Sequence, residues 1–246
     1  MRNEAHVCAV LLGAGQGLRA GGKTPKQFLP LAGRPMLVHS LLAFEQTRRV
    51  LSVVVVLCGQ RPPGLEAAIS LPKVRSVVTG GETRQQSLAK GVSGLPPEAS
   101  IVLVHDAARP LVRPALIERV LDGLDEDHEG AILAVPLEDA VKEVSEEGEL
   151  LGSRDRGGLW RAQTPQAFFR DPLEDALARN LTEGVVHDDC SALAATAGYR
   201  VRVVMGEPSN LKATRPVDLM LCETLLRAWS DPSDTAMATS PTNPAT

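Results

Sequence analysis

The sequence predicts a layered α/β fold: a mostly parallel sheet with helices on both faces and a protruding β-hairpin arm. Three observations predict it. Short apolar runs alternate with helix-patterned stretches, which implies parallel strands joined by right-handed crossovers. The runs are nearly continuous and lack polar alternation, as expected of strands buried on both faces. One stretch, residues 136–160, breaks this rhythm and reads as a hairpin.

Residues 7–12 (VCAVLL) form the first strand and run into a Gly-rich loop. Pro35 suits the first turn of a helix reaching about Gln46. Residues 51–57 (LSVVVVL) are the clearest β run; a helix over 65–71 and a strand over 74–78 follow. Then come a helix at 83–92, a strand at 101–104, a helix at 114–124 and a strand at 131–135. Within the hairpin, 141–144 alternates, Glu146-Glu147-Gly148-Glu149 turns, and Leu150-Leu151 resumes an extended pattern. A lone hairpin is marginal in water, so this one needs a surface to pack on, which points to a second subunit. Helices near 173–181 and 191–197, a strand at 201–204 and a helix at 216–229 complete a single domain over 1–229. The Ser/Thr/Pro-rich tail, 230–246, is expected to be disordered.

Composition narrows the function classes. Aromatics are only 3%, so aliphatic packing must carry the core. A net charge of −4 lacks the basic excess that a nucleic-acid partner wants. Four cysteines without a CxxC pair read as small hydrophobes in a reducing compartment. No apolar stretch approaches the roughly 20 residues of a membrane span, and residues 1–6 show no signal-peptide pattern. The expected setting is the cytoplasm, with no nucleic-acid or membrane partner.

Ligands of such sheets sit at the carboxyl ends of strands, so the loops there carry the candidates. Leu12, Gly13, Ala14, Gly15 and Gly17 leave the first strand, and Arg19, Lys23 and Lys26 follow. Glycine lets successive N–H groups point at one anion, and Pro25 fixes the turn that aims Lys26 and Gln27. Several N–H donors with two or three cations suit a triphosphate. A dinucleotide fingerprint wants G-x-G-x-x-G opening a helix, then an acid about 20 residues on; here the glycines run G-x-G-x-G and Pro25 and Pro30 intervene. Gly22-Lys23-Thr24 runs into Pro25, which excludes a Walker-type loop.

After the third strand, Gly80 and Gly81 let backbone approach a flat ligand, while Glu82 and Ser87 offer hydrogen bonds to a base edge; a plain capped turn reads equally well. Asp106, with Ala107 beside it, ends the fourth strand and faces the triphosphate, placed to help hold Mg²⁺ or a sugar hydroxyl. Arg109 is a candidate for an acceptor phosphate. Arg156 and Lys212 are basic residues in turn-like contexts, each on its own a surface residue. Taken together, these loops describe a site for a nucleoside triphosphate with a candidate contact to a phosphorylated acceptor.

In order, AGxGxR, PKQF, GGExRxxS, HDAARP, DRxxLWxAQTPQ and NxKxTRPxD resemble the motifs of the 2-C-methyl-D-erythritol 4-phosphate cytidylyltransferase family of isoprenoid synthesis, over residues 7–226. The resemblance implies a Rossmann-like nucleotidyltransferase fold and a homodimer whose arm reaches the neighbouring site. It implies CMP transfer from CTP to 2-C-methyl-D-erythritol 4-phosphate with Mg²⁺ or another divalent cation. Leu12 through Gly17 would wrap the phosphates, and Arg19 and Lys26 would stabilise charge at the α-phosphate. Gly81, Glu82 and Ser87 would read cytosine. Asp106 and Ala107 would contact sugar groups, with Asp106 also facing the metal. Asp106, Arg109, Arg156, Thr164 and Lys212 would hold the acceptor, Arg156 and Lys212 aiming it. An acceptor phosphate is already an anionic nucleophile, so the lack of a Ser-His-Asp or Cys-His constellation fits.

Three positions depart from the family pattern. Leu12-Gly13-Ala14-Gly15 stands for Pro-Ala-Ala-Gly, Ala140 for an arm threonine, and His187-Asp188-Asp189 for Thr-Asp-Glu, with His187 read as a surface substitution. The alternatives are a cytidylyltransferase for another polyol phosphate such as ribitol 5-phosphate, a sugar-nucleotide pyrophosphorylase, and a non-catalytic nucleotide-binding module.

Overall fold

Side chains along a strand point alternately to its two faces, and in the central strands of this protein both faces are core. The structure, a computed structural model, describes residues 5–15, 24–59 and 65–230. In β1 (Val7–Gly13), Val7, Ala9 and Leu11 enter one apolar layer, while Cys8, Val10 and Leu12 enter the other. β4 (Val50–Leu57) divides likewise, Val53, Val55 and Leu57 against Val54 and Val56. This double burial makes the two segments read as apolar runs, interrupted only by Ser52.

Helices α1 (Met36–Gln46) and α4 (Pro114–Asp122) cover the first layer with Leu37, Leu41, Phe44, Leu116, Ile117 and Val120. The second is covered by α3 (Arg84–Ser93), α5 (Arg170–Glu183) and α6 (Cys190–Thr196), through Leu88, Val92, Leu173, Leu177 and Leu193. Gly91 sets how closely α3 approaches: a Cβ there would stand 2.4 Å from Val10 Cγ1 and 2.8 Å from Val56 Cγ2.

The seven-stranded sheet runs β11 (Val201–Met205), β7 (Gly130–Pro136), β10 (Trp160–Phe169), β6 (Ile101–Asp106), β1, β4 and β5 (Val74–Thr79). All neighbours pair in parallel except β10, which is antiparallel to both β6 and β7. The sequence reading assigns no strand to residues 160–169. Gln163, Thr164 and Gln166 disguise it, because they are polar and yet buried, and Pro165 interrupts the pattern. The pairing with β7 shifts register between Ala162 and Gln166. The helix expected over 65–71 is one turn, α2 (Glu66–Ile69), since Pro72 disfavours helical backbone at Leu71.

Two small sheets complete the fold. β2 (Pro30–Leu31) pairs with β3 (Arg34–Pro35) just before α1. The hairpin is the separate sheet of β8 (Val141–Val144) and β9 (Leu150–Arg154), with Leu150 and Leu151 each 67% exposed. The final helix, α7 (Pro216–Ser230), buries Cys222 against Leu31, Met36, Leu111 and Ala213. The tail beyond residue 230 lies outside the described residues.

Candidate active site

Buried strands stop where their backbone reaches solvent, and the carboxyl ends of β1, β4, β5 and β6 surround a cavity of about 390 Å³. It is lined by Leu12, Gly13, Ala14 and Gly15 from the first loop, and by Lys26. Gly81, Glu82 and Ser87 line it from the second loop, Asp106 and Ala107 from the end of β6, and Lys212 from the last loop. The strand-end principle thus brings eleven residues singled out in the sequence to one place. Gly17, Arg19 and Lys23 lie outside the described residues.

Local chemistry shapes each wall. Gln27 is buried beside Lys26, and its Nε2 donates to the Gly13 carbonyl at 2.6 Å, joining the PKQF turn to the end of β1. Lys26 Nζ donates to the Ala213 carbonyl at 3.3 Å. Gly80 lets the second loop approach the first: a Cβ there would lie 2.3 Å from Ala14 Cβ. Thr83 caps α3 in a capping box with Gln86, so the loop ends on a fixed helix start. Ser87 Oγ accepts from the Gly81 N–H at 3.0 Å, so this hydroxyl holds the loop as well as lining the cavity.

Asp106 is the electrostatic centre. Its Oδ1 accepts from Arg84 Nε at 3.2 Å and Nη2 at 3.1 Å, and its Oδ2 accepts from Lys212 Nζ at 2.7 Å. Burial pushes this carboxyl upward, but Arg84 and Lys212 outweigh burial and hold it well below the usual carboxylate range. Arg84 also donates Nη1 to Cys190 Sγ at 3.5 Å. Burial raises the Cys190 thiol, so it accepts from Arg84 while staying neutral. The sequence reading missed Arg84 as a site residue; it stands inside GGExRxxS, but its partner lies 22 positions away.

Behind Asp106 sits a polar layer that includes Thr164 and Arg109, neither of which lines the cavity. The Asp106 N–H donates to Thr164 Oγ1 at 3.1 Å, and Thr164 Oγ1 meets His105 Nδ1 at 3.0 Å. His105 Nε2 lies 3.1 Å from the Arg109 carbonyl. A carbonyl only accepts, so Nε2 carries the ring proton and Nδ1 accepts from the Thr164 hydroxyl. The hydroxyl accepts from one neighbour and donates to the other, and Thr164 lies behind Asp106 without lining the cavity. Arg109 does not line the cavity either: Nη1 donates to the Asn210 carbonyl at 2.7 Å and Nη2 to the Ala162 carbonyl at 2.9 Å. In this chain Arg109 ties the last loop to β10, because two backbone carbonyls claim its guanidinium.

The last loop is pinned along its length. Asn210, fully buried, donates Nδ2 to the Thr164 carbonyl at 2.9 Å. Gln163 Nε2 donates to the Glu207 carbonyl at 2.7 Å, and the Ala213 N–H donates to the Ala108 carbonyl at 2.7 Å. Arg156 sits apart at the base of the arm, bonded to the Glu138 carbonyl, and does not line this cavity. His187, read as a surface residue, is half-buried: its Nε2 lies 2.6 Å from Oδ1 of the buried Asn180.

Comparison with known proteins agrees with the geometry. The family model described as 2-C-methyl-D-erythritol 4-phosphate cytidylyltransferase matches residues 7–228. A protein of that name from Symbiobacterium thermophilum is 38% identical, covering 91% of this chain and 94% of its own. One from Ralstonia nicotianae is 40% identical, covering 89% and 90%. Among solved structures, a cytidylyltransferase of the same name from Thermus thermophilus superposes with a TM-score of 0.73 at 32% identity, covering 89% of this chain and 98% of its own. A 4-diphosphocytidyl-2C-methyl-D-erythritol synthase superposes with a TM-score of 0.76 at 31% identity, covering 90% and 99%.

Proposed function

This chain belongs to the 2-C-methyl-D-erythritol 4-phosphate cytidylyltransferase family, and from that premise we propose how its cavity performs the family's reaction. It is a cytidylyltransferase that joins CMP from CTP to 2-C-methyl-D-erythritol 4-phosphate, giving 4-diphosphocytidyl-2-C-methyl-D-erythritol and pyrophosphate. The observation that carries the site assignment is the convergence of a glycine-rich strand end, two lysines and the paired Asp106 on one cavity.

In this reading the triphosphate lies along Gly13, Ala14 and Gly15, and Lys26 and Arg19 would stabilise charge at the α-phosphate. Gly81, Glu82 and Ser87 take the base, and Asp106 and Ala107 the sugar. An oxygen of the acceptor phosphate attacks the α-phosphorus, the bond to the bridging oxygen breaks, and pyrophosphate leaves. The nucleophile is anionic from the start, so no side chain has to remove a proton. The barrier is the approach of two polyanions, and fixed cations lower it by holding them together and by meeting the charge that builds. Lys212 would receive the acceptor phosphate on its side of Asp106.

Among the described residues, no group of three or more His, Cys, Asp or Glu side chains is placed to bind a metal alone. Mg²⁺ fits a smaller role, for it commonly takes one or two carboxylates together with substrate phosphates and water. Asp106 is the carboxylate that would hold it, and the ion would supply charge neutralisation at the phosphates. The enzyme is further taken as a cytoplasmic homodimer. Four unpaired cysteines support a reducing compartment. The exposed Val144, Leu150 and Leu151 of the arm support a partner surface that would deliver Arg156 across the dimer.

The reading is tested by following pyrophosphate release with each of the four ribonucleoside triphosphates and the methylerythritol acceptor. Strong preference for CTP is expected; equal use of UTP or ATP would overturn the base-reading loop.

A further inference from the structure

We propose that Arg84 is a positioning residue for this reaction: by gripping one oxygen of Asp106, it fixes the carboxylate whose other oxygen holds Lys212 at the cavity wall. The inference rests on reading the cavity as the site of cytidylyl transfer.

The geometry forms a single chain of contacts across the cavity floor. Arg84 opens α3, directly after the loop assigned to the base. Two of its nitrogens reach the same Asp106 oxygen, at 3.2 and 3.1 Å, so Oδ1 is held in place and the rotation of the carboxylate on its stem is restricted. The remaining oxygen then meets Lys212 Nζ at 2.7 Å. A lysine ammonium rides on a flexible four-carbon stem, and an oriented counter-ion is what gives it one place. Arg84 is itself seated from the far side by Cys190 Sγ at 3.5 Å. The Cys190 N–H donates to Gln166 Oε1, and Gln166 Nε2 donates to Asp189 at 3.0 Å. α6, α3, β6 and the last loop are thereby linked through two side chains, Arg84 and Asp106.

Two other roles for Arg84 make different predictions. A purely structural ion pair would lower stability and leave turnover per folded molecule unchanged. A direct substrate ligand would act independently of Asp106. The test is a double-mutant cycle on the full chain with Arg84→Gln, Asp106→Asn and the pair, measuring kcat, both KM values and urea unfolding. Arg84→Gln is expected to lower kcat about 10- to 100-fold, the usual range for a hydrogen bond to a charged group. KM for CTP should stay within about threefold. In the Asp106→Asn background the same change should cost no more than about threefold further, because the two residues act as one unit. Arg84→Lys should recover part of kcat, and it carries the cycle if Arg84→Gln does not fold. Fully multiplicative losses, a KM effect without a kcat effect, or an unchanged kcat per folded molecule would each overturn the inference. A fully active Asp106→Asn enzyme would overturn the site reading as well, and so separates the two failures.

Discussion

His105 supplies a prediction that can be worked from the structure to a number. The ring is fully buried, with Thr164 at Nδ1, the Arg109 carbonyl at Nε2, and Phe44 edge-on at 5.4 Å. Burial lowers its pKa from the ordinary 6.5 to about 4, against the opposing pull of Asp106 and the Arg109 carbonyl. The folded state therefore keeps a neutral ring between pH 6.5 and 4, where the unfolded chain takes up a proton. The unfolded state binds more protons in that window, so stability falls as pH falls through it. At 1.36 kcal/mol per pH unit, the loss between pH 7 and pH 5 is about 2 kcal/mol. The assay is urea unfolding at half-unit steps over that range, for the parent and for His105→Gln, which cannot titrate. The variant should be less stable at pH 7, yet its disadvantage should shrink by about 2 kcal/mol by pH 5. Parallel pH dependences for the two proteins would refute the neutral-ring argument and, with it, the assigned directions of the Thr164 and Arg109 bonds.

Further outcomes follow from the same geometry. Lys26→Ala, and Arg19→Ala with it, should lower kcat by about 10²- to 10³-fold, the scale of losing a donor aimed at developing charge, while KM for CTP moves little. Steady-state kinetics at saturating acceptor check this, and normal turnover by either variant would remove that residue from the charge-stabilising role. Gly91→Ala should cost about 1–3 kcal/mol in urea unfolding, the range for overpacking, because its Cβ would stand 2.4 Å from Val10 Cγ1; an unchanged midpoint would mean α3 can withdraw freely. If Arg156 acts across a dimer, mixing Arg156→Ala and Lys212→Ala chains should restore one intact site per heterodimer. Activity in refolded mixtures no higher than in either parent variant would place Arg156 in its own chain's site.

The fold was legible wherever physics left a local trace. β1 and β4 announce themselves because neighbours cover both faces, so every residue but Ser52 is non-polar. Asp106 stood out because it ends a buried strand, where polar side chains have a reason to be. β10 left no such trace. Its buried Gln163 and Gln166 find partners in Glu207 and in the Asp189–Cys190 segment, 44 and 23–24 positions away, which no window of sequence reveals. Arg84 was hidden for the same reason, and so was the turning of Arg109 toward two distant carbonyls. The hairpin was visible as an interruption, since alternation returned where the rest of the chain had none. His187 looked superficial beside two acids, yet it reaches Asn180 seven positions back, across the end of α5.

One measurement bears most directly on the account: pyrophosphate release by the purified protein with CTP and Mg²⁺, comparing 2-C-methyl-D-erythritol 4-phosphate with ribitol 5-phosphate. The account predicts that the methylerythritol acceptor is strongly preferred, with Ala140 a tolerated loss of one hydrogen bond, worth about 0.5–1.5 kcal/mol. Preference for ribitol 5-phosphate would keep the cavity and the mechanism but contradict the assigned acceptor. No pyrophosphate with either acceptor would contradict the assignment of catalysis itself.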